Sequence, residues 1–494
     1  MQQLSPLDAL FLYNETRNGP LHISPLMFYD VSTAPGGFVR FKDILRTFRS
    51  RLSRSPVFRR RLLNVPGNLG YPYWIEDADF DLEFHVRHLA LPKPGDWRQF
   101  CILVSRLHSR PLDMSRPPWE AYIIEGLDNI PGLPPGSFAM YMKIHHSAID
   151  GATGNQIVEA LHDLVPDAPA VETPDPWQPE RPLPPRQLLR RAMRDLSRQP
   201  LQAIELGRQL LKARSRVRIA FEGQAFASHE VNERIRFNDE ITPHRVFGGQ
   251  LVALDQLKAI KSRVPGATLN DAVLAVVGGA MRKYLEHHKE LPTQSVVTAV
   301  PVSTRRPDDA SGNQVSGMRL YLRTDVADPL ERVRLIHEDA IRSKAYQNAV
   351  DARKLTDLSA SVPSSLMALG LRISTGIGLN RRRPLFHTVV TNVPGPQVPM
   401  YMCGARMVWW FGAGALADGL GLFHTVNSYC GQVAIAYLSC RRLMPDPDFY
   451  DRCLRESFDE LLCATQATPP AESDASTPVH PKQPREPQRS GRRP

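Results

Sequence analysis

The sequence predicts a two-domain α/β protein with mixed sheets. Three observations lead there. The chain has 494 residues, 42% of them hydrophobic, and single cores stop growing near roughly 250 to 300 residues. Helical and strand-like hydrophobic periods are interspersed in both halves. Between the halves, Pro174, Pro176, Pro179, Pro182, Pro184 and Pro185 crowd one short stretch, which removes backbone donors and marks a connector.

The first domain is expected over residues 1–172. Phe41 to Leu52 has a helical period, Phe138 to His146 alternates as a strand, and Asn155 to Leu164 returns to helix. The connecting region, 173–234, contains a second feature. After Pro200, Ala203, Leu206, Leu210, Ala213 and Val217 recur at helical spacing, while Glu205, Arg208, Lys212 and Arg216 fall largely on other faces. This basic amphipathic helix either docks on anionic lipid headgroups or packs on its own protein with a solvated face.

The second domain is expected over 235–465. Thr268 followed by Asp271 reads as a capped start for a helix running to Leu285. Thr293 to Thr304 reads as a strand, and Gly421–Tyr429 with Gln432–Cys440 reads as a hairpin around Cys430-Gly431. Residues 466–494 hold seven prolines and almost no large apolar side chains, so disorder is expected there.

Composition narrows the function. Met1 to Asp8 lacks the basic start and apolar run of a secretory signal, so the mature chain is expected to begin at or near Met1. The longest strongly apolar run, Ala272–Met281, is far shorter than the roughly 20 residues that span a bilayer. Six cysteines without a CxxC pair fit a reduced, cytoplasmic setting. The net charge of +10 is concentrated: Arg186–Arg218 holds ten basic residues against two acidic ones, and the tail five against three. The remainder is neutral, which argues against a nucleic-acid partner and leaves one basic segment for an anionic surface.

The segment His145-His146-Ser147-Ala148-Ile149-Asp150-Gly151 carries the chemistry. On the strand before it, Phe138, Met140, Met142, Ile144 and His146 share one face, while Tyr141, Lys143 and His145 share the other. The two histidines therefore do different jobs. Gly151 with Gly154 permits close backbone approach as a helix begins. Imidazole, with an ordinary pKa near ~6.5, suits removal of a hydroxyl proton, and no G-x-S-x-G elbow offers a serine nucleophile nearby. Direct attack in a ternary complex is the expectation. Two further readings fit the residues alone: a metal site built from two histidines and a carboxylate, which the opposed faces weaken, and strand-end histidines satisfied by backbone carbonyls.

Several stretches in one order resemble the bacterial wax ester synthase/diacylglycerol acyltransferase family. These are Leu4-Ser5-Pro6-Leu7-Asp8, the HHxxxDG segment itself, Phe80 to Arg87, Arg110-Pro111-Leu112-Asp113 leading to Trp119-Glu120, and Asn270-Asp271. Later come Pro301-Val302-Ser303, Asn392-Val393-Pro394-Gly395-Pro396, and Asp418-Gly419 followed by Ser428-Tyr429. Pro118 and the Phe423-His424 pair depart from the family pattern, and both are expected to alter the pocket's shape.

The resemblance implies two chloramphenicol acetyltransferase-like domains with an active-site tunnel at their interface. It implies acyl-CoA as a substrate, no cofactor and no metal, and diacylglycerol or a fatty alcohol as acceptor. His146 would be the general base, His145 a support for the strand end, and Asp150 a structural ion-pair partner of Arg59, Arg60 or Arg61. Asn270 is the candidate oxyanion donor. Trp119 and Asp271 are candidate substrate contacts, and Trp409 and Trp410 candidate linings of an acyl channel. Such an enzyme would work peripherally at a membrane or lipid-droplet surface. Amide-forming condensation and a non-catalytic lipid-coating role are the competing readings.

Overall fold

The computed structural model describes residues 1–149, 151–169, 179–194, 197, 229, 231–303, 315–350 and 378–467. The basic amphipathic helix, Asp150 and all but the first two residues of the tail lie outside them. Among the described residues, no helix is long and apolar enough to cross a membrane.

The first half builds α1 (Pro6–Asn14), β1 (His22–Asp30), α2 (Phe41–Arg51), β2 (Val86–Ala90), α3 (Trp97–His108), β3 (Trp119–Glu125), β4 (Phe138–His145) and α4 (Gly151–Leu161). Ser5 caps α1: its hydroxyl accepts from the Asp8 amide at 3.1 Å and donates to the Asp8 carboxylate at 2.6 Å, and Pro6 fits the first turn, where no amide donor is needed. The second half builds β5 (Arg245–Ala253), α5 (Leu269–His287), β6 (Val297–Ser303), β7 (Val315–Tyr321), α6 (Pro329–Val350), β8 (Thr388–Pro394), β9 (Ala405–Ala413), β10 (Leu422–Tyr429), β11 (Gln432–Cys440) and α7 (Pro447–Ala467).

Two mixed six-stranded sheets result. The second has the order β7-β6-β8-β10-β11-β5; the first has the order Tyr401–Met402, β9, β1, β4, β3, β2. Strand β9, which the sequence assigns to the second domain, thus pairs antiparallel with β1, with Trp409 opposite Phe28 and Phe411 opposite Leu26. The first sheet is completed by the second half of the chain. Thr425 of β10 ties the sheets by donating to the Gly412 carbonyl of β9 at 2.7 Å.

Strand β4 sits mid-sheet and is buried at every position. Its alternation is as the sequence predicts: Phe138, Met140, Met142 and Ile144 join one core with α2 and α4, while Ala139 and Tyr141 join the other with α3. Each large apolar side chain so enclosed contributes about 1.5 to 3 kcal/mol. In the second half, Thr268 and Asp271 form the expected capping box at the start of α5. Further along, a Cβ at Gly278 would lie 2.1 Å from the Leu322 carbonyl, so only glycine lets α5 pack there.

Candidate active site

Strand β4 ends at His145, and a 3-10 turn over His146–Ala148 leads into α4. Backbone pairing fixes that end from both sides. The His145 amide donates to the Pro118 carbonyl at 2.9 Å and the His146 amide to the Leu21 carbonyl at 2.9 Å. Pro118 therefore keeps the acceptor that this strand end uses.

His145 is fully buried. Its Nδ1 accepts from the Ser147 amide at 3.1 Å, with the Ser147 hydroxyl 2.6 Å away. An accepting Nδ1 puts the proton on Nε2, which faces the Glu15 carboxylate at 3.4 Å. The pair is close but not aligned as a hydrogen bond. His145 thereby braces the turn through the residue that follows His146.

His146 is half-buried, with Nδ1 enclosed by protein. Its imidazole lies flat on Phe11, the ring centroids 3.8 Å apart and the planes 10° from parallel. Phe11 and Glu15 are four residues apart at the end of α1, so one helix face reaches both histidines. Neither was singled out in the sequence, where only the preceding Leu4–Asp8 stretch carried a signal.

Behind the motif lies a buried polar layer that sequence reasoning also missed. Ser24 donates to the Tyr141 hydroxyl at 3.0 Å, Tyr141 donates to His108 Nδ1 at 2.7 Å, and His108 Nε2 donates to the Gly414 carbonyl at 2.9 Å. His22 lies opposite His145 in the sheet and gives its Nε2 proton to the His108 carbonyl at 2.9 Å. Burial, then the charges of Arg245 and Lys143, push His108 down to about 3. Burial likewise holds His22 well below the ordinary histidine value and lowers Lys143 to about 8. The ammonium of Lys143 donates to the Arg110 carbonyl at 2.6 Å and lies 3.6 Å from Glu120. The signal was present in the alternation of Tyr141, Lys143 and His145, which places three polar side chains on one inward face.

The second half closes on the motif. Asn155 of α4 donates to the Pro394 carbonyl at 3.1 Å, and the Gly395 amide bonds the Ser428 carbonyl at 3.0 Å. A Cβ at Gly395 would meet that carbonyl at 2.4 Å and Trp410 at 2.5 Å. The segments Asn392–Pro396 and Ser428-Tyr429, far from His146 in sequence, thus abut the helix that the histidine motif opens.

Other expected site residues turn inward. Trp119 is 1% exposed, stacked on His85 at 4.6 Å, with its indole donating to the Phe58 carbonyl at 3.0 Å; a side chain lining a substrate channel would expose more than that. Asp271, 2% exposed, is occupied by the Thr268 amide at 2.8 Å and His337 at 2.9 Å. In this structure both side chains are engaged in packing or capping contacts. Trp409 and Trp410 fall into the two cores on either side of the first sheet. His424 is buried against the Tyr450 hydroxyl at 2.7 Å. Asn270 sits half-buried in the first turn of α5, and Gly151 opens α4. Of the three arginines, Arg61 faces Asp77 at 3.3 Å and Arg60 donates to Gln2 at 3.3 Å; Asp150 is outside the described residues.

Comparison with known proteins agrees with this frame. Residues 4–273 match the wax ester synthase/diacylglycerol acyltransferase catalytic domain, and residues 311–462 match the C-terminal domain of the same family. The chain is 31% identical over 453 residues to the O-acyltransferase WSD of Acinetobacter baylyi, covering 90% of this chain and 93% of that one. It is 32% identical over 476 residues to a candidate diacylglycerol O-acyltransferase of Mycobacterium tuberculosis, covering 94% and 90%. The solved wax ester synthase/diacylglycerol acyltransferase of Marinobacter aquaeolei VT8 matches with a TM-score of 0.68 at 28% identity, over 94% of this chain and 100% of that one. The first condensation domain of the calcium-dependent antibiotic synthetase shares the fold, with a TM-score of 0.53 at 14% identity over 97% and 99% of the two chains.

The fold and these relatives define a two-domain acyltransferase. The chain belongs to the wax ester synthase/diacylglycerol acyltransferase family.

Proposed function

We propose that the protein transfers a long-chain acyl group from acyl-CoA to the hydroxyl of diacylglycerol or a fatty alcohol, with His146 as general base. The observation that carries this reading is the division of labour in the motif: His145 is fully buried and held through Nδ1 by Ser147, with Glu15 3.4 Å from its Nε2, while His146 is half-buried on Phe11 with Nδ1 enclosed. Nε2 is then the nitrogen that meets the acceptor.

In this mechanism Nε2 takes the hydroxyl proton as the acceptor oxygen bonds to the thioester carbonyl carbon. The carbon–sulfur bond breaks next, and the departing thiolate takes the same proton from the imidazolium. No acyl-enzyme forms. Asn270 donates to the intermediate's oxyanion, a contact commonly worth about 3 kcal/mol of barrier. Asp150 pairs with an arginine and braces the turn, and the basic amphipathic segment meets an anionic lipid surface from the cytoplasmic side.

The test is ester formation by purified protein from palmitoyl-CoA, with hexadecanol and dioleoylglycerol in parallel and His146→Ala as control. Product that vanishes in the variant supports the reading and ranks the acceptors. Absence of product with both acceptors from folded wild type overturns it.

A further inference from the structure

Away from the histidine motif, a cavity of about 490 Å³ opens between α3 of the first half and the starts of β5 and α7 in the second. Its rim carries the exposed guanidiniums of Arg98, Arg106, Arg441 and Arg452. Asp448 answers Arg98 at 3.7 Å. Asp446 is turned away, to the Tyr284 hydroxyl at 2.5 Å and His288 at 3.2 Å. Among the described residues, Arg106, Arg441 and Arg452 have no carboxylate partner. At the floor, Arg245 is buried and donates to the Thr242 and Asn18 carbonyls.

Two more features give the cleft a shape beyond that of a simple anion trap. Trp97 and Phe449 present partly exposed aromatic surface, with the Arg452 guanidinium 5.3 Å from the Phe449 ring centre. Asp451 Oδ1 is buried without a hydrogen-bond partner among the described residues. Guanidiniums grip phosphate oxygens in pairs, aromatic faces take a flat base, and a carboxyl oxygen can accept from an exocyclic amine. The cavity also exceeds what inorganic phosphate alone would fill. Helix α3 links the cleft to the site: it turns Ser105 and Ser109 into the cavity and, between them, His108 into the polar layer behind the motif.

We propose that this cleft binds the phosphorylated adenine nucleotide of the acyl-CoA donor, an assignment that rests on acyl-CoA being the donor. The phosphates sit among Arg106, Arg441 and Arg452, and the base lies against Phe449 or Trp97.

The test measures binding directly, so that catalysis is not the readout. Coenzyme A is titrated calorimetrically into the full chain at low salt, using wild type, the double variant Arg106→Glu/Arg441→Glu, and Arg46→Glu as a distant surface control, with melting curves to verify folding. The double variant should bind roughly tenfold or more weakly, while Arg46→Glu binds as wild type does. Coenzyme A binding by wild type that is unaltered in the double variant overturns the cleft assignment alone. Wild type that binds no coenzyme A overturns the cleft and the donor together. Phosphatidylglycerol vesicles distinguish the other source of phosphate: vesicle binding lost in the double variant, with coenzyme A affinity retained, would assign the arginines to lipid headgroups instead.

Discussion

Phe11 lies parallel to the imidazole of His146, its ring centroid 3.8 Å away. Such a contact, made by the amino-terminal helix, orients the imidazole before any substrate arrives. Stacked aromatic pairs are worth about 1 kcal/mol beyond the area they bury. Phe11→Ala should therefore lower kcat by roughly fivefold through lost orientation, with a smaller change in KM for either substrate. A change confined to KM would show that Phe11 touches substrate and does not orient the histidine.

Glu15 acts one step further back. Its carboxylate faces the Nε2 proton of His145, whose Nδ1 holds the amide that follows His146. Glu15→Gln retains an acceptor and should keep most activity. Glu15→Leu takes away the carboxylate 3.4 Å from that proton, and because the pair is not aligned as a hydrogen bond the loss of stability should be about 1 kcal/mol or less. It should also reduce kcat, because the turn bearing His146 loses its brace. Thermal melts and kinetics of the two variants check this; equal behaviour of Gln and Leu would show that the carboxylate is incidental.

How far the sequence could be read follows from the range of the interactions. Alternation along Phe138–His145 is local, and the two faces of that strand enter the two different cores it implies. Thr268 and Asp271 are likewise local, and their capping box formed as expected. The pairing of β9 with β1 joins residues near 410 to residues near 27, and no periodicity encodes a partner at that distance. Trp119 was hard to place for a different reason. A tryptophan beside a motif looks the same in sequence whether its ring faces a channel or fills a core, and here it is packed among Phe48, Phe58, Phe80 and His85.

Asp271 now reads as a structural residue with two partners, the Thr268 amide and His337. Asp271→Asn keeps the size of the side chain but removes the charge, and should lower unfolding free energy by about 1 to 2 kcal/mol. Turnover per folded molecule should stay near wild type at low temperature. Denaturant melts set beside active-site-normalised rates check this, and a kcat loss without a stability loss would restore Asp271 to the site.

The buried histidines make stability depend on acid in a definite direction. Burial lowers His108 and His424 to about 3 and His162 to about 4, whereas in the unfolded chain each titrates near ~6.5. Below that value the unfolded state binds protons that the folded state refuses, so stability falls as pH falls. The contribution is fully present above about pH 6.5 and is lost progressively on the way down to the folded values. Between pH 6.5 and 5.5 each of the three should cost about 1 kcal/mol. Replacing one of them by a neutral side chain of similar shape, as in His424→Gln, should flatten the slope by that share. Urea melts across this range measure it, and an unchanged slope in His424→Gln would mean that His424 takes up its proton in the folded protein as readily as in the unfolded chain.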